Sequence, residues 1–434
     1  AFHVNNLFVA LLGGLVLAKR AGPLSVLAVA VFWFHPMQVE AIANITARTD
    51  LYVAVLGTLA VFATGPLGAA LTLLALGCKE TALVIPLIAF LGAPRTRAAW
   101  LPHLLALVGW ALVRTLLVTS WDVDPADAGL PTLLSVATAP AVVGAYILRI
   151  ALPLWPTVAR LPPMPSLALG LAGWAAVLVF ARWLWSQAPA VRRDLGMLLL
   201  PLVPISGLLA SPVRYAEGFL AWPLVGAALL ITRVPTRWHR PVGGVVIGLA
   251  VLSALRVPDW ASPQTIWEAA VEAHPDDPRA RLGLARLVAP ENPARALSLV
   301  EGSLEREPDR RKRNEAHALA ARLRHEAGDN TAALDHLVHA ADPTDPEATW
   351  ALVAQCVLGS DVLTPQVVEP SCAEALTRTP TDGDLWNAAG VVAARATDWQ
   401  LARSRFAEAV RLSPDQPSFR ANLDRVVDVE NGQQ

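Results

Sequence analysis

The chain has 434 residues, of which 54% are hydrophobic and only 16% charged, well below the quarter or so that soluble domains carry. That argues against a wholly soluble fold, and a formal net charge of −1 leaves no basic surplus to meet phosphate, so no nucleic acid is expected as a partner. Charges are sparse before Arg256 and dense after it, which divides an expected all-α chain into two materials: a polytopic transmembrane helix bundle over residues 1–257, then a water-facing α-solenoid over 258–434.

The sequence opens at Ala1 inside an apolar segment, with no Met and no signal peptide, as an N-terminally incomplete protein would. Apolar stretches then run from Asn5 to Ala18, Pro23 to Trp33, Asp50 to Thr64, Leu67 to Gly77, Thr81 to Leu91 and Trp100 to Thr119. Five more run from Leu133 to Leu154, Leu167 to Trp183, Leu195 to Leu209, Leu220 to Ile231 and Val242 to Leu255. Several are short for a span of ~20 residues.

Basic residues resist translocation and so mark cytoplasmic loops. Here they cluster at Lys19/Arg20, Arg95/Arg97, Arg192/Arg193 and Arg233/Arg237/Arg240. Four apolar stretches separate the first two clusters and two separate the last two, so both intervals return to the same side. Three separate the middle pair, and an odd number cannot. The stretch 133–154, which follows the acidic loop Trp121-Asp122-Val123-Asp124, is therefore expected to lie at the interface or re-enter, leaving about ten spans. Trp100, Trp121, Trp155, Trp183, Trp185, Trp238 and Trp260 read as interfacial anchors near span ends.

On this topology three polar groups face the extracytoplasmic side. They are His35-Pro36-Met37-Gln38-Val39-Glu40-Ala41 with Arg48 and Asp50, then Lys79-Glu80, then Arg214-Tyr215-Ala216-Glu217. Ionisable groups at such depth are costly unless paired or hydrated. Together they suit a pocket whose cations hold a lipid-linked phosphate and whose carboxylates orient a hydroxyl. The competing reading is interfacial caps and salt bridges, because Arg48 with Asp50 and Lys79 with Glu80 are sequence neighbours.

The soluble portion repeats internally. Residues 383–416 match the 34-residue tetratricopeptide pattern through Trp386, Gly390, Ala402, Phe406, Ala409 and Pro414. Weaker copies run from Asp277 to Arg310 with Ala296 and Pro308, and from Asn314 with Ala321, Gly328, Ala333 and Ala340. A degenerate copy spans Pro346 to Asp382. Trp267, Ala270 and Pro275 read as the second helix of a partial repeat, and Pro417 to Val429 as a polar closing helix. About four repeats bury a continuous core and offer a surface for a protein or peptide. Cys78, Cys356 and Cys372 match no metal or redox spacing, so no metal and no cofactor is expected. Cys356 and Cys372 can meet on adjacent antiparallel helices, but reduced buried thiols are the simpler expectation. Lysine appears only at Lys19, Lys79 and Lys312 among 35 basic residues, a bias that fits a GC-rich bacterial genome and hence a bacterial inner membrane.

Four motifs in order, Phe2-His3-Val4-Asn5-Asn6-Leu7, then HPMQVEA through Arg48 and Asp50, then Cys78-Lys79-Glu80-Thr81 with Pro86, then Arg214-Tyr215 with Pro223, lead directly into the repeats. In this the chain resembles the transmembrane, tetratricopeptide-containing O-mannosyltransferases of animals and their bacterial relatives, within the GT-C class of membrane glycosyltransferases. The resemblance covers nearly the whole chain. It implies transfer of a sugar from a polyprenyl-phosphate donor to a hydroxyl acceptor on the extracytoplasmic, here periplasmic, face, with a carboxylate as general base. Arg48, Lys79 and Arg214 would contact the lipid phosphate, and His35, Glu40, Asp50 and Glu80 would order the pocket. The family's catalytic base lies in a loop preceding the span that begins here at His3, so no catalytic residue is assigned. Tyr215 is followed by Ala216-Glu217 where the family has a hydrophobic-aromatic pair. The alternatives are a non-catalytic membrane-anchored scaffold, or subunit of a larger membrane complex, and a lipid-linked oligosaccharide polymerase or ligase.

Overall fold

The computed structural model describes residues 2–44, 47–117, 133–153, 167–208, 217–307, 310–342, 344 and 348–432. Every regular element among them is helical. Contacts divide the chain into two compact units, Ala1–Ala273 and His274–Gln434.

The first unit holds α1 (Phe2–Arg20), α2 (Ser25–Phe34), α3 (Gln38–Ala43), α4 (Arg48–Phe62), α5 (Gly65–Cys78), α6 (Ile85–Gly92) and α7 (Arg97–Leu117). It continues with α8 (Leu133–Ala151), α9 (Leu167–Ser186), α10 (Pro189–Leu199), α11 (Ala221–Ile231), α12 (His239–Arg256) and α13 (Pro263–Ala273). Each of the eleven apolar stretches is thus largely helical over its described residues. The helix α13, whose Trp267 and Ala270 suggest a partial repeat, instead groups with this unit and packs on the 3-10 turn Val257–Trp260.

Two helices form the centre. α4 buries Leu51, Val53, Ala54, Ala60 and Val61, and α11 buries Ala221, Trp222, Leu224, Val225, Ala228 and Leu229. Each is apolar around most of its circumference, the pattern of a helix enclosed by others. Close approach needs small residues: a Cβ on Gly57 of α4 would lie 2.8 Å from the Trp222 ring of α11, and one on Gly226 of α11 would lie 2.3 Å from the backbone nitrogen of Leu198 on α10.

Length separates the helices into two kinds. Among the described residues, Arg97–Leu117, Ala168–Ser186 and Thr236–Trp260 are long and apolar enough to cross a membrane. They also carry much of the exposed apolar surface, including Leu105, Val108, Leu112 and Leu116 on α7, Leu178 and Val179 on α9, and Ile247 and Leu255 on α12. α1 and α8 have 19 residues each, whereas α2, α4, α5, α6, α10 and α11 run from 8 to 15. Gly22 and Gly65, both at positive φ, turn the chain between α1 and α2 and between α4 and α5.

α4 serves as a ruler for the two ends of this unit. Asp50, in its first turn, meets Lys79 from the end of α5. Phe62, its last residue, carries the guanidinium groups of Arg20 and Arg193. At 1.5 Å per residue these ends are roughly 18 Å apart. All four basic clusters lie at the Phe62 end: a Cβ on Gly92, just before Arg95, would lie 3.2 Å from Arg193, and Arg233 shares Asp194 with Arg193. α8 behaves differently from its neighbours. Its first turns lie against the early part of α9, where Trp174 Nε1 donates to the Val136 carbonyl at 3.0 Å, and its last turn meets His35, where the Ile150 carbonyl accepts from Nε2 at 2.9 Å.

The second unit comprises α14 (Pro278–Val288), α15 (Pro293–Leu304), α16 (Arg310–Glu326), α17 (Asn330–Ala340), α18 (Thr349–Gly359), α19 (Pro365–Arg378), α20 (Gly383–Arg395), α21 (Trp399–Leu412) and α22 (Pro417–Gly432). Consecutive helices pair, giving four tetratricopeptide-like hairpins and a closing helix. Helix starts are written in capping residues: Asp277, Asn292, Asp329, Asp382 and Asp398 each accept from a backbone N–H of the first turn. Within the best-matched repeat, a Cβ on Gly390 would lie 2.6 Å from the Phe406 ring, so only glycine lets α20 and α21 close.

The thiols are not reduced. Cys356 on α18 and Cys372 on α19 form a disulfide with a Cα–Cα distance of 5.0 Å. Pairing of the two helices sets both side chains into one interior, a proximity that spacing in sequence does not fix. The closed segment separates the cysteines by 16 positions, and such a loop contributes about 3 kcal/mol. Reduction, or Cys372→Ser, is therefore expected to lower the stability of the repeats by about that amount in denaturant titration. An unchanged midpoint with reductant would contradict it.

The turn between α20 and α21 carries a second local signal. Thr397 has φ 62°, and Gly328 has φ 82° at the matching position before the Asp329 cap. A β-branched residue is strained there. Thr397→Gly is expected to raise stability by about 1 kcal/mol, read as a higher thermal midpoint.

Candidate functional site

The polar motifs of the first unit meet through α1, α3, α4, the α5–α6 junction and the 3-10 turn Glu217–Leu220. Asn6 is fully buried, and its amide donates to the carbonyls of Ile42 and Asn44 at 3.0 and 3.1 Å. One residue earlier, Asn5 donates to the Tyr52 hydroxyl at 3.1 Å. The two asparagines therefore clamp both sides of the segment that carries Glu40 and Asp50. A buried amide needs such partners.

Glu40 lies on α3 and is buried, and its Oε2 accepts from the Gly218 N–H at 3.1 Å. Asp50 is also buried and receives both hydrogen bonds from Lys79 Nζ, at 2.6 and 2.8 Å. Lys79 ends α5 in extended backbone, which turns its stem inward. Its ammonium also lies 4.1 Å from the centre of the Phe219 ring, a cation–π contact. Gly218 sits between the two carboxylates, since a Cβ there would lie 3.1 Å from Ala47, 3.7 Å from Asp50 Oδ2 and 3.9 Å from Glu40 Cδ. Four segments far apart in sequence thus converge on one small polar core.

The other expected residues are placed differently. His35 is buried at the end of α2, with Nδ1 accepting from the Met37 N–H at 3.2 Å and Nε2 facing the Ile150 carbonyl. Both ring nitrogens are used to fasten the loop, away from the Asp50–Lys79 pair. Glu80 points outward and pairs with Arg114 at 3.4 Å, its side chain 54% exposed. Arg48 opens α4, half-buried and two residues before Asp50. Arg214 and Tyr215 lie outside the described residues. Sequence adjacency suggested Arg48–Asp50 and Lys79–Glu80 as local pairs. The structure instead joins Asp50 to Lys79 across 29 positions and sends Glu80 to α7, because the helix break at Lys79 turns consecutive side chains in opposite directions. Asn6, Tyr52, Gly218 and Phe219 complete the arrangement. Asn5 and Asn6 were legible as two polar residues within an apolar stretch, but no sequence signal marks Gly218 as a donor to Glu40.

The repeats present a groove of about 660 Å³ lined by Arg286, Pro290, Lys312, Glu315, Leu319 and Arg322 among others. Arg286 and Lys312 both pair with Glu315 there. On the other flank of α16, His317 Nδ1 faces His336 Nδ1 at 3.0 Å, and burial lowers the His317 pKa to about 4, aided by the neighbouring His339 and His336.

No protein-family model matches the chain, and no curated protein does either. Among solved structures, the crystal structure of the P58(IPK) TPR domain aligns over 83% of this chain and 96% of its own, at 14% identity and a TM-score of 0.25. At that score the superposition carries no argument. The tetratricopeptide character rests on the four helix pairs themselves.

Removing one member of the Asp50–Lys79 pair strands the other in an apolar surrounding. Asp50→Asn is expected to cost about 2 kcal/mol, less than a fully enclosed pair because Lys79 keeps some solvent contact. Asp50→Asn with Lys79→Met should recover most of it. Thermal unfolding in detergent checks both, and a double variant no better than the single would show that the pair is not coupled.

Proposed function

We propose that the chain is a GT-C-like membrane glycosyltransferase, which moves a sugar from a polyprenyl-phosphate donor to a hydroxyl acceptor and whose repeats recruit a protein. The observation that carries this reading is the convergence of Asn6, Glu40, Asp50, Lys79 and Gly218 at the end of the first unit opposite the basic clusters. Paired ionisable groups of this kind are rare in an apolar helix bundle and commonly mark a substrate or ion site. Lys79 and Arg48, with Arg214 from the segment preceding Glu217, would bind the lipid phosphate. Glu40 and Asp50 orient the cations and the Gly218 backbone, and none of these residues is assigned as the base.

Two further features support the side on which the site works. Basic residues concentrate at the Phe62 end, so the Asp50 end faces the extracytoplasmic, periplasmic compartment under the positive-inside rule. A disulfide in the repeats suits the same oxidising side. α8, with its first turns beside the early part of α9 and its last turn at His35, fits an interfacial or re-entrant segment, which reconciles the odd number of stretches with about ten crossings.

A second reading is a non-catalytic membrane-anchored adaptor whose repeats recruit a protein. The direct Asp50–Lys79 ion pair favours it, because a satisfied pair needs no ligand.

Transfer from a radiolabelled polyprenyl-phosphate sugar by the purified protein distinguishes the two. Lys79→Ala is expected to reduce transfer about 100-fold, the loss of a charge-assisted phosphate contact of ~3 kcal/mol. Asp50→Asn, which keeps the lysine charge, should reduce it less. A folded protein that transfers nothing from any donor tested would establish the adaptor instead.

A further inference from the structure

The Phe62 end of the first unit gathers cations more tightly than orientation in a membrane requires. Arg20, the last residue of α1, and Arg193 on α10 both rest on the Phe62 ring, with guanidinium carbons 4.5 and 4.1 Å from its centre. Arg193 also donates through Nε and Nη2 to Asp194 Oδ1 at 3.0 and 2.8 Å, and Arg233 occupies the other oxygen, with its Nε at 2.7 Å. Asp194 is fully buried, and it is the one carboxylate at this end among the described residues. Two guanidinium groups share this carboxylate and Arg20 has none, which leaves a surplus of two positive charges among the three. Lys19, Arg95, Arg97, Arg237 and Arg240 add to it from the adjoining turns.

The positive-inside rule accounts for the sign of this surface. It does not account for two guanidinium groups sharing one ring, an arrangement whose mutual repulsion favours an anion between or above them. Arg20 is exposed, and among the described residues no carboxylate reaches it.

The neighbouring surface says what kind of anion. Along α1, Val4, Leu7, Phe8, Leu11, Leu12 and Leu15 are all exposed, with Leu15 at 61%. Their spacing of three and four places them in one apolar stripe, which ends at the exposed Lys19 and Arg20. A phosphate bearing acyl chains fits both parts, whereas a soluble phosphate fits only the charges. We infer that Lys19, Arg20 and Arg193 bind the phosphodiester of an anionic phospholipid, whose acyl chains lie along the exposed stripe of α1. The inference rests on the membrane-spanning reading of the first unit, and basic sites at helix ends bind acidic headgroups on general electrostatic grounds.

The test uses the protein purified in a neutral detergent and stripped of lipid. Thermal unfolding is measured with added phosphatidylglycerol, phosphatidylcholine or inorganic phosphate, for the parent chain and for Lys19→Ala/Arg20→Ala. Phosphatidylglycerol is expected to raise the parent midpoint by about 5 °C and phosphatidylcholine by far less, and the double variant should lose most of that gain. Both substituted side chains are exposed and Arg20 loses its contact with Phe62, so each lipid shift is read against the variant's own lipid-free midpoint; Arg20→Lys alone should keep part of the response. Equal shifts with the two lipids, or an undiminished shift in the double variant, would overturn the site. Inorganic phosphate reproducing the full shift would overturn the lipid assignment. Resistance of the native protein to alkaline carbonate extraction tests the membrane reading separately, since release from the membrane would defeat that reading whatever the lipids do.

Discussion

The ion pair between Asp50 and Lys79 is the constraint around which the first unit is arranged. Both oxygens of a buried carboxylate are taken by one ammonium, at the start of a helix whose remaining inward positions are apolar except for Thr58, which donates to the Ala54 carbonyl. Without the pair, α4 would carry an unmatched charge into the bundle, and the end of α5 would have no reason to stop where it does. The pair also fixes Phe219 over Lys79 and thereby brings the Glu217–Leu220 turn to the carboxylate of Glu40. Asn6 secures the remaining side by holding the carbonyls of Ile42 and Asn44.

At the opposite end of α4 the chemistry reverses. Asp194 neutralises part of a dense cationic surface, and Phe62 supports two guanidinium groups at once. A helix bundle with carboxylates and a matched lysine at one end and surplus arginine at the other has a built-in polarity. That polarity is what the proposed orientation in a bilayer rests on, with the polar core on one side and the cationic end on the other.

The repeat unit obtains its order from different physics. Its helices are short and amphipathic, and they stand because each pair covers the apolar face of the next. Gly390 admits Phe406, Asp and Asn residues close the helix starts, and the Cys356–Cys372 disulfide joins the degenerate pair α18–α19. The covalent link falls in the repeat whose sequence departs most from the pattern, where packing residues specify the pair least.

Much of this was legible in the sequence because it depends on composition and period. Apolar stretches form helices over their described residues, and the positions of Trp386, Gly390, Ala402 and Phe406 within the 34-residue pattern mark the helix pair at 383–412. Charge density changes at Arg256, whereas the compact units divide between Ala273 and His274. What only the tertiary structure decided are the partners: Asp50 with Lys79 rather than Arg48, Glu80 with Arg114, Glu40 with a backbone N–H at Gly218, and a disulfide where reduced thiols were the simpler expectation. Period and composition are local properties of the chain, so sequence alone carries them. A pairing between residues 29 or 178 positions apart depends on where helices break and how they cross, and that is settled only when the core closes.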